Sequence, residues 1–330
     1  MVTRNIDGIS SAEEFVMAEE VTSEYVGRVF EQVKNWGKWG ADDQRGALNY
    51  ITDEIRASAA SLIQDGACVS CALDFPVEPS PNNPHPAQHM MVVAGDACCD
   101  PRAPGLEMTM DFIGIAFHGM ASSHIDALCH VLVDGKMYNG FPAGEVLSTG
   151  ARKGSVMAAS DGITSRGVLL DIPRLRGKPW CDVTDRIQPE DLEAAEREQG
   201  LEVREGDILL IGTGRHARQD ELGPWQPMGE GGGLAGLDPR CIPFLHERRI
   251  AVLGSDGIQD AMPGYGLEDW AVPIHQCCLV AMGVHLLDNL DLRALSAACA
   301  ERNRWEFFLS VSPLRVAGGT GSPINPIATF

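Results

Sequence analysis

The stretch from Phe117 to His130, Phe-His-Gly-Met-Ala-Ser-Ser-His-Ile-Asp-Ala-Leu-Cys-His, gathers three imidazoles and a carboxylate in one short run. His124 and Asp126 stand two residues apart. In an extended chain, side chains at i and i+2 leave the same face. An imidazole beside a carboxylate is a sound start for a divalent metal site, Zn2+ or Mn2+. The plainer alternative is a hydrogen-bonded His–Asp pair. His130 lies four residues past Asp126. If the chain turns helically there, His130 returns over the carboxylate, as a further ligand or as a free acid/base.

A metal site also needs ligands from elsewhere. His275 opens the apolar run Ile274–Met282, and Asp288 sits in His285-Leu-Leu-Asp-Asn-Leu290. Ionised carboxylates avoid apolar surroundings unless they are paired. Asp288 therefore needs a partner. The alternative for His275 alone is a satisfied core or surface histidine.

Several elements must position these residues. Gly167–Ile172, Asp207–Gly212 and Ile250–Gly254 read as buried strands. Val69–Phe75 and Gly114–Phe117 read as shorter strands, and Trp305–Val316 as a terminal one. Helices are predicted over 11–35, 53–64, 188–198 and 239–248, and over the apolar run 274–282. Pro76–Gln88 is proline-rich and must be loop, and long loops often carry function. Gly229–Gly233 is hinge-like. Strands alternating with helices indicate an α/β fold. No GxGxxG follows a strand, and Gly318–Pro323 lacks the lysine of a phosphate-binding loop.

The chain has 330 residues, and its formal charge of −20 argues against nucleic acid or an anionic membrane as a partner. No run approaches the ~20 apolar residues of a membrane span, and the start lacks a signal-peptide core. The ten cysteines are scattered, so reduced thiols and a cytoplasmic location are expected. Cys68-x-x-Cys71 has no second, similarly spaced pair to complete a structural zinc site.

The Phe117–His130 stretch resembles the HxGTHxDxPxH motif of the cyclase superfamily, which includes kynurenine formamidases, isatin hydrolases and trans-dienelactone hydrolases. Trp39–Asn49, Gly206–Gly214, Leu253–Asp256, Pro313–Arg315 and Gly318–Pro323 resemble further segments of that family. The resemblance implies a swivelling β/β/α fold, with a central β-barrel-like mixed sheet and surrounding helices. It implies one catalytic domain over 36–330 behind an N-terminal helical extension over 1–35, assembled as a homodimer or homotetramer. It implies metal-dependent hydrolysis of an amide or lactone. His124 and Asp126 match the motif's metal ligands, His130 its general acid/base, and His275 and Asp288 a downstream His and Glu that hold a second metal.

The chain departs from the motif in places. Met120 stands where the first His belongs, and His118 lies two residues earlier. Either a bulge lets His118 ligate or the site lacks a ligand. Thioether suits zinc and manganese poorly, so Met120 is expected as a pocket wall beside Phe117. Ser122-Ser123 replaces Gly-Thr, and Leu128 replaces Pro. Asp288 is one methylene shorter than Glu.

The resulting expectation is a small-molecule hydrolase working through a metal-activated water, with His130 carrying the proton. Trp39 is a candidate for stacking on a substrate ring, and Arg215 for meeting a substrate carboxylate. The proline-rich loop with His85 and His89 is a candidate lid. The other function classes are a metal-dependent lyase or dehydratase, a binding protein with a degraded site, and a hydrolase using Cys129 as nucleophile.

Overall fold

The computed structural model describes residues 19–97, 105–228 and 230–330. Nine strands form one mixed sheet. Their order is Cys68–Ser70, Ile327–Thr329, Glu306–Val311, Ile163–Asp171, Ile208–Gly212, Val252–Ser255, His285–Asp288, His124–Asp126 and Gly321–Pro323. The run from Ile163–Asp171 to His285–Asp288 is parallel, and the flanking strands are antiparallel. The sheet curls into a half-barrel with helices around it.

Parallel strands covered on both faces read as continuous apolar runs, and these do. Alternation sends Val168, Leu170, Leu209, Ile211, Leu253 and Leu286 into one core, and Leu169, Ile208, Leu210, Val252 and Leu287 into the other. The same alternation places the chemistry. Leu286 lies opposite Asp126, and Asp288 opposite His124. Residues directly opposite in an antiparallel pair share a face. His124, Asp126 and Asp288 therefore leave the sheet together, on the side of the first core.

Helices close that side. Ser23–Gln32, capped by Thr22, buries Tyr25, Val26, Val29 and Phe30. The helix expected over 11–35 is thus shorter at both ends in the described chain, and its residues 11–18 lie outside the described residues. The helix Pro189–Gln199 starts with Pro at its first turn and stops at Gly200, whose φ of +66° suits glycine. The run after His275 is helical but wide, a π-helical Gln276–Met282 ended by Gly283.

Some expected strands are displaced. Val69–Phe75 pairs only over Cys68–Ser70, because the Cys71 N–H turns to Pro326 O and the chain leaves the sheet. Gly114–Phe117 is the exit of a strand over Met110–Gly114, which forms a two-stranded ribbon with Gln88–Val93. Trp305–Val316 is strand only over Glu306–Val311. Part of Gly229–Gly233 lies outside the described residues, as do Cys98 and Cys99.

Buried histidines make stability pH-dependent. Burial lowers His285 to about 4 and His216 to about 3. Neither His285 ring nitrogen has a hydrogen-bond partner. An unfolded His titrates near ~6.5. Below that pH the unfolded chain binds protons that the folded chain refuses, so stability falls as pH drops from about 6.5 toward about 4. Each unit of depression is worth about 1.4 kcal/mol, so each of these histidines contributes a loss of a few kcal/mol. The expected result is a flat thermal midpoint above pH 7 and a fall between pH 6 and 4. His285→Phe should shrink that fall; an unchanged slope in this variant would clear His285 of the effect.

Candidate metal centre

Asp126 sits at the middle of the cluster, 1% exposed. Its Oδ1 lies 2.9 Å from His118 Nδ1, 3.5 Å from His124 Nε2 and 3.9 Å from His130 Nε2. Its Oδ2 lies 3.7 Å from His275 Nε2. Asp288 Oδ2 lies 3.8 Å from His124 Nε2 and 3.6 Å from His275 Nε2. Ligand atoms fall within 4.8 Å of one another in two triads that share Asp126: His118–Asp126–His130 and His124–Asp126–Asp288. The structure thus brings together every metal-site residue expected from sequence, and His118 rather than Met120 enters from the first position.

The donor atoms fit a divalent cation. Both Asp126 oxygens, Asp288 Oδ1 and His118 Nδ1 are buried without a hydrogen-bond partner. His118 Nδ1 is close to Asp126 Oδ1 but not aligned to donate to it. Buried polar atoms left unpaired are costly, and a shared cation would satisfy this set. The opposite ring nitrogens are occupied. His124 Nδ1 donates to Ser122 O at 2.8 Å, and His275 Nδ1 to Asp260 Oδ2 at 2.6 Å. His118 Nε2 meets Thr320 Oγ1 at 3.1 Å. Such partners fix which nitrogen faces a metal. Asp260, Thr320 and the Ser122 carbonyl escaped the sequence reading, because only the folded chain brings them to the rings.

Electrostatics agree with the geometry. Burial pushes the Asp126 carboxyl up, but His118, His124, His130 and His275 together hold it well below the usual carboxylate range. Burial lowers His275, yet Asp260 and Asp288 raise it well above its ordinary value. His130 is lowered, chiefly by burial, against the pull of Asp126. The turn after Asp126, closed by His130 N–H to Ala127 O at 2.9 Å, brings His130 back toward the carboxylate. Its ring stacks on His118 with centroids 4.0 Å apart. Burial pushes the neighbouring Cys129 thiol up to about 11, which removes it as a nucleophile. Cys71 is likewise buried and pushed up to about 12.

A cavity of about 210 Å3 opens over His118, walled by Phe117, Met120, Pro84, His85 and Met228. Phe117 and Met120 are pocket walls as expected, and the proline-rich loop covers them. His89 is instead on the ribbon, paired with Asp111 at 3.0 Å. Trp39 does not line this cavity: it packs edge-on against Tyr50, at 5.0 Å between centroids. Arg215 does not line it either. It is 3% exposed, and its Nη1 and Nη2 donate to protein acceptors while the buried Nε has no partner, so it is not placed to meet a substrate carboxylate. A larger cavity of about 480 Å3 lies at Asp171, Gly212 and Asp256; it holds none of the metal-site residues.

The family model described as "Putative cyclase" matches residues 69–259. A solved structure described as a novel cyclase is 34% identical, with a TM-score of 0.80, over 90% of this chain and 99% of its own. Isatin hydrolase A from Labrenzia aggregata is 22% identical, with a TM-score of 0.56, over 82% of this chain and 94% of its own. Isatin hydrolase A from Ralstonia solanacearum is 19% identical, with a TM-score of 0.56, over 84% and 97%. No curated protein matches the chain.

Proposed function

The chain belongs to the cyclase family, and from that premise we propose that it is a metal-dependent hydrolase of a small cyclic amide, lactone or acyl amide. The observation that carries this reading is the set of unpaired donor atoms around Asp126, next to a cavity of small-molecule size. The isatin hydrolases share the fold, and cyclic amides are the first substrates to try.

His124, Asp126, Asp288, His118 and His275 would hold the cation, Zn2+ or Mn2+. A divalent cation there supplies a water of near-neutral pKa and a Lewis acid for the substrate carbonyl. Asp260 and the Ser122 carbonyl keep the His275 and His124 lone pairs turned inward. His130, with its side chain 30% exposed, borders the cluster and reaches solvent. Its lowered pKa keeps it neutral at pH 7 and able to accept the attacking water's proton. It then returns that proton to the leaving nitrogen or oxygen. Phe117 and Met120 press the substrate from the apolar side. The reading takes the protein as a cytoplasmic homodimer or homotetramer; among the described residues no helix is long and apolar enough to cross a membrane.

Metal content per chain, measured by plasma mass spectrometry on protein purified without a chelating column, is expected at one or two ions. Protein that carries none, and takes up none on dialysis, overturns the reading. Turnover of a lactone and cyclic-amide panel in 18O-water should place label in the product; unlabelled product points to a lyase instead.

A further inference from the structure

The loop between His118 and His124 is longer than the motif it resembles, and something must hold it. Gly119 to Ser122 make no backbone–backbone hydrogen bond among the described residues. Two side chains take the carbonyls instead. Arg215 Nη2 donates to Met120 O at 2.6 Å. Asn289 Nδ2 donates to Gly119 O at 2.7 Å and to Ser122 O at 3.2 Å. The two are tied together, because Arg215 Nη1 donates to Asn289 Oδ1 and also to Asp256 O at 3.3 Å. Asn289 is itself anchored: its N–H donates to Gly257 O at 2.8 Å, and its carbonyl accepts from Ser123 Oγ at 2.7 Å.

Buried carbonyls need donors, and a planar guanidinium offers several in fixed directions. Both side chains are buried, Arg215 at 3% exposure and Asn289 at 0%. Burying a guanidinium is expensive, so its use on a loop carbonyl marks a loop whose shape matters. The clamp reaches both ends of the loop. Gly119 follows His118 directly. Ser122 O is also the acceptor that fixes the His124 ring. Met120, between them, walls the cavity.

We propose that Arg215 and Asn289 are positioning residues, which lock the 119–122 loop so that His118 and His124 both face Asp126 and Met120 stays in the cavity wall. The proposal rests on the metal-dependent reading above. It reassigns Arg215 from substrate contact to site architecture.

Asn289→Asp is the sharper test. It keeps an acceptor for Arg215 and tolerates the left-handed φ of +54° at this position. It removes the donors to Gly119 O and Ser122 O. The added negative charge would by itself tighten cation binding, so weakening reports the loosened loop. The expected result is a folded protein with zinc affinity weakened about 10–100-fold, the usual cost of losing an outer partner of a ligand. The visible spectrum of the cobalt(II)-loaded form should change as His118 or His124 drifts. Arg215→Lys, which cannot bond two acceptors in one plane, should raise KM more than it lowers kcat as Met120 loosens, and it carries the test if Asn289→Asp does not fold. Variants with wild-type cobalt spectrum, zinc affinity and KM overturn the clamp alone. Wild-type protein that takes up no cobalt overturns the metal reading, and the clamp with it.

Discussion

Asp126→Asn should leave a folded protein that no longer retains metal through dialysis and has no measurable turnover. Asp126 faces both halves of the cluster, with Oδ1 toward His118 and His124 and Oδ2 toward His275. Asp288 also lies between His124 and His275, but among the described residues only Asp126 faces His118 as well. An amide of the same shape removes the negative charge and points N–H groups at imidazole nitrogens. The expected loss of affinity exceeds the ~10–100-fold that follows loss of an outer partner. A metal that binds only the folded state raises its thermal midpoint by mass action. Added zinc should therefore raise the midpoint of the wild type and leave that of Asp126→Asn where it was. The fold itself should survive, because the strand around Asp126 is held by backbone pairing and by Ile125 and Ala127 in the second core. A variant that still shows the full zinc-dependent shift would remove Asp126 from the centre of the site.

What could be read from sequence follows from how local each signal is. His124-x-Asp126 was legible because the period of a strand is two, and these residues do form a strand. Asp288 was legible as an acid in an apolar run, and the reason it tolerates that run is its place opposite His124. The central strands were legible because parallel strands covered on both faces leave little room for polar residues. The edges were not. Cys68–Ser70 pairs for three residues only, since where an edge strand stops depends on a partner far along the chain, here Pro326. Trp39 and Arg215 were misplaced for the same kind of reason. A tryptophan beside glycines and an arginine after a turn look accessible in sequence. The one, half-buried, packs on Tyr50 and does not line the cavity, and Met120 O and Asn289 enclose the other. Asp260 carried a weak signal, as an acid following Leu253–Asp256 in a segment that is buried throughout. Nothing in its spacing pointed to His275, fifteen residues on; the irregular chain between them folds back so that Asp260 accepts from the Ile274 and His275 N–H groups and from the His275 ring at 2.6 Å.

His130→Ala separates the two roles the cluster offers that imidazole. Its Nε2 stands 3.9 Å from Asp126 Oδ1, and its ring is parallel to His118 within 2°. His118, Asp126 and His130 alone could hold a cation. Yet among the described residues His130 is the member with no hydrogen-bond partner fixing its other nitrogen, whereas His124, His275 and His118 each have one. A ligand is usually fixed in this way; a proton carrier needs a ring free to exchange with solvent. His130→Ala should therefore keep its metal and lose about 10²–10⁴ in kcat, the usual worth of a general acid/base. The pH profile should change with it. Burial lowers His130 below its ordinary value, so a base role predicts wild-type activity that declines only when pH falls below about 6.5. That acid limb should vanish in the variant, leaving a slow, flatter profile. Metal lost together with activity would instead make His130 a ligand, and the proton would have to leave by another route.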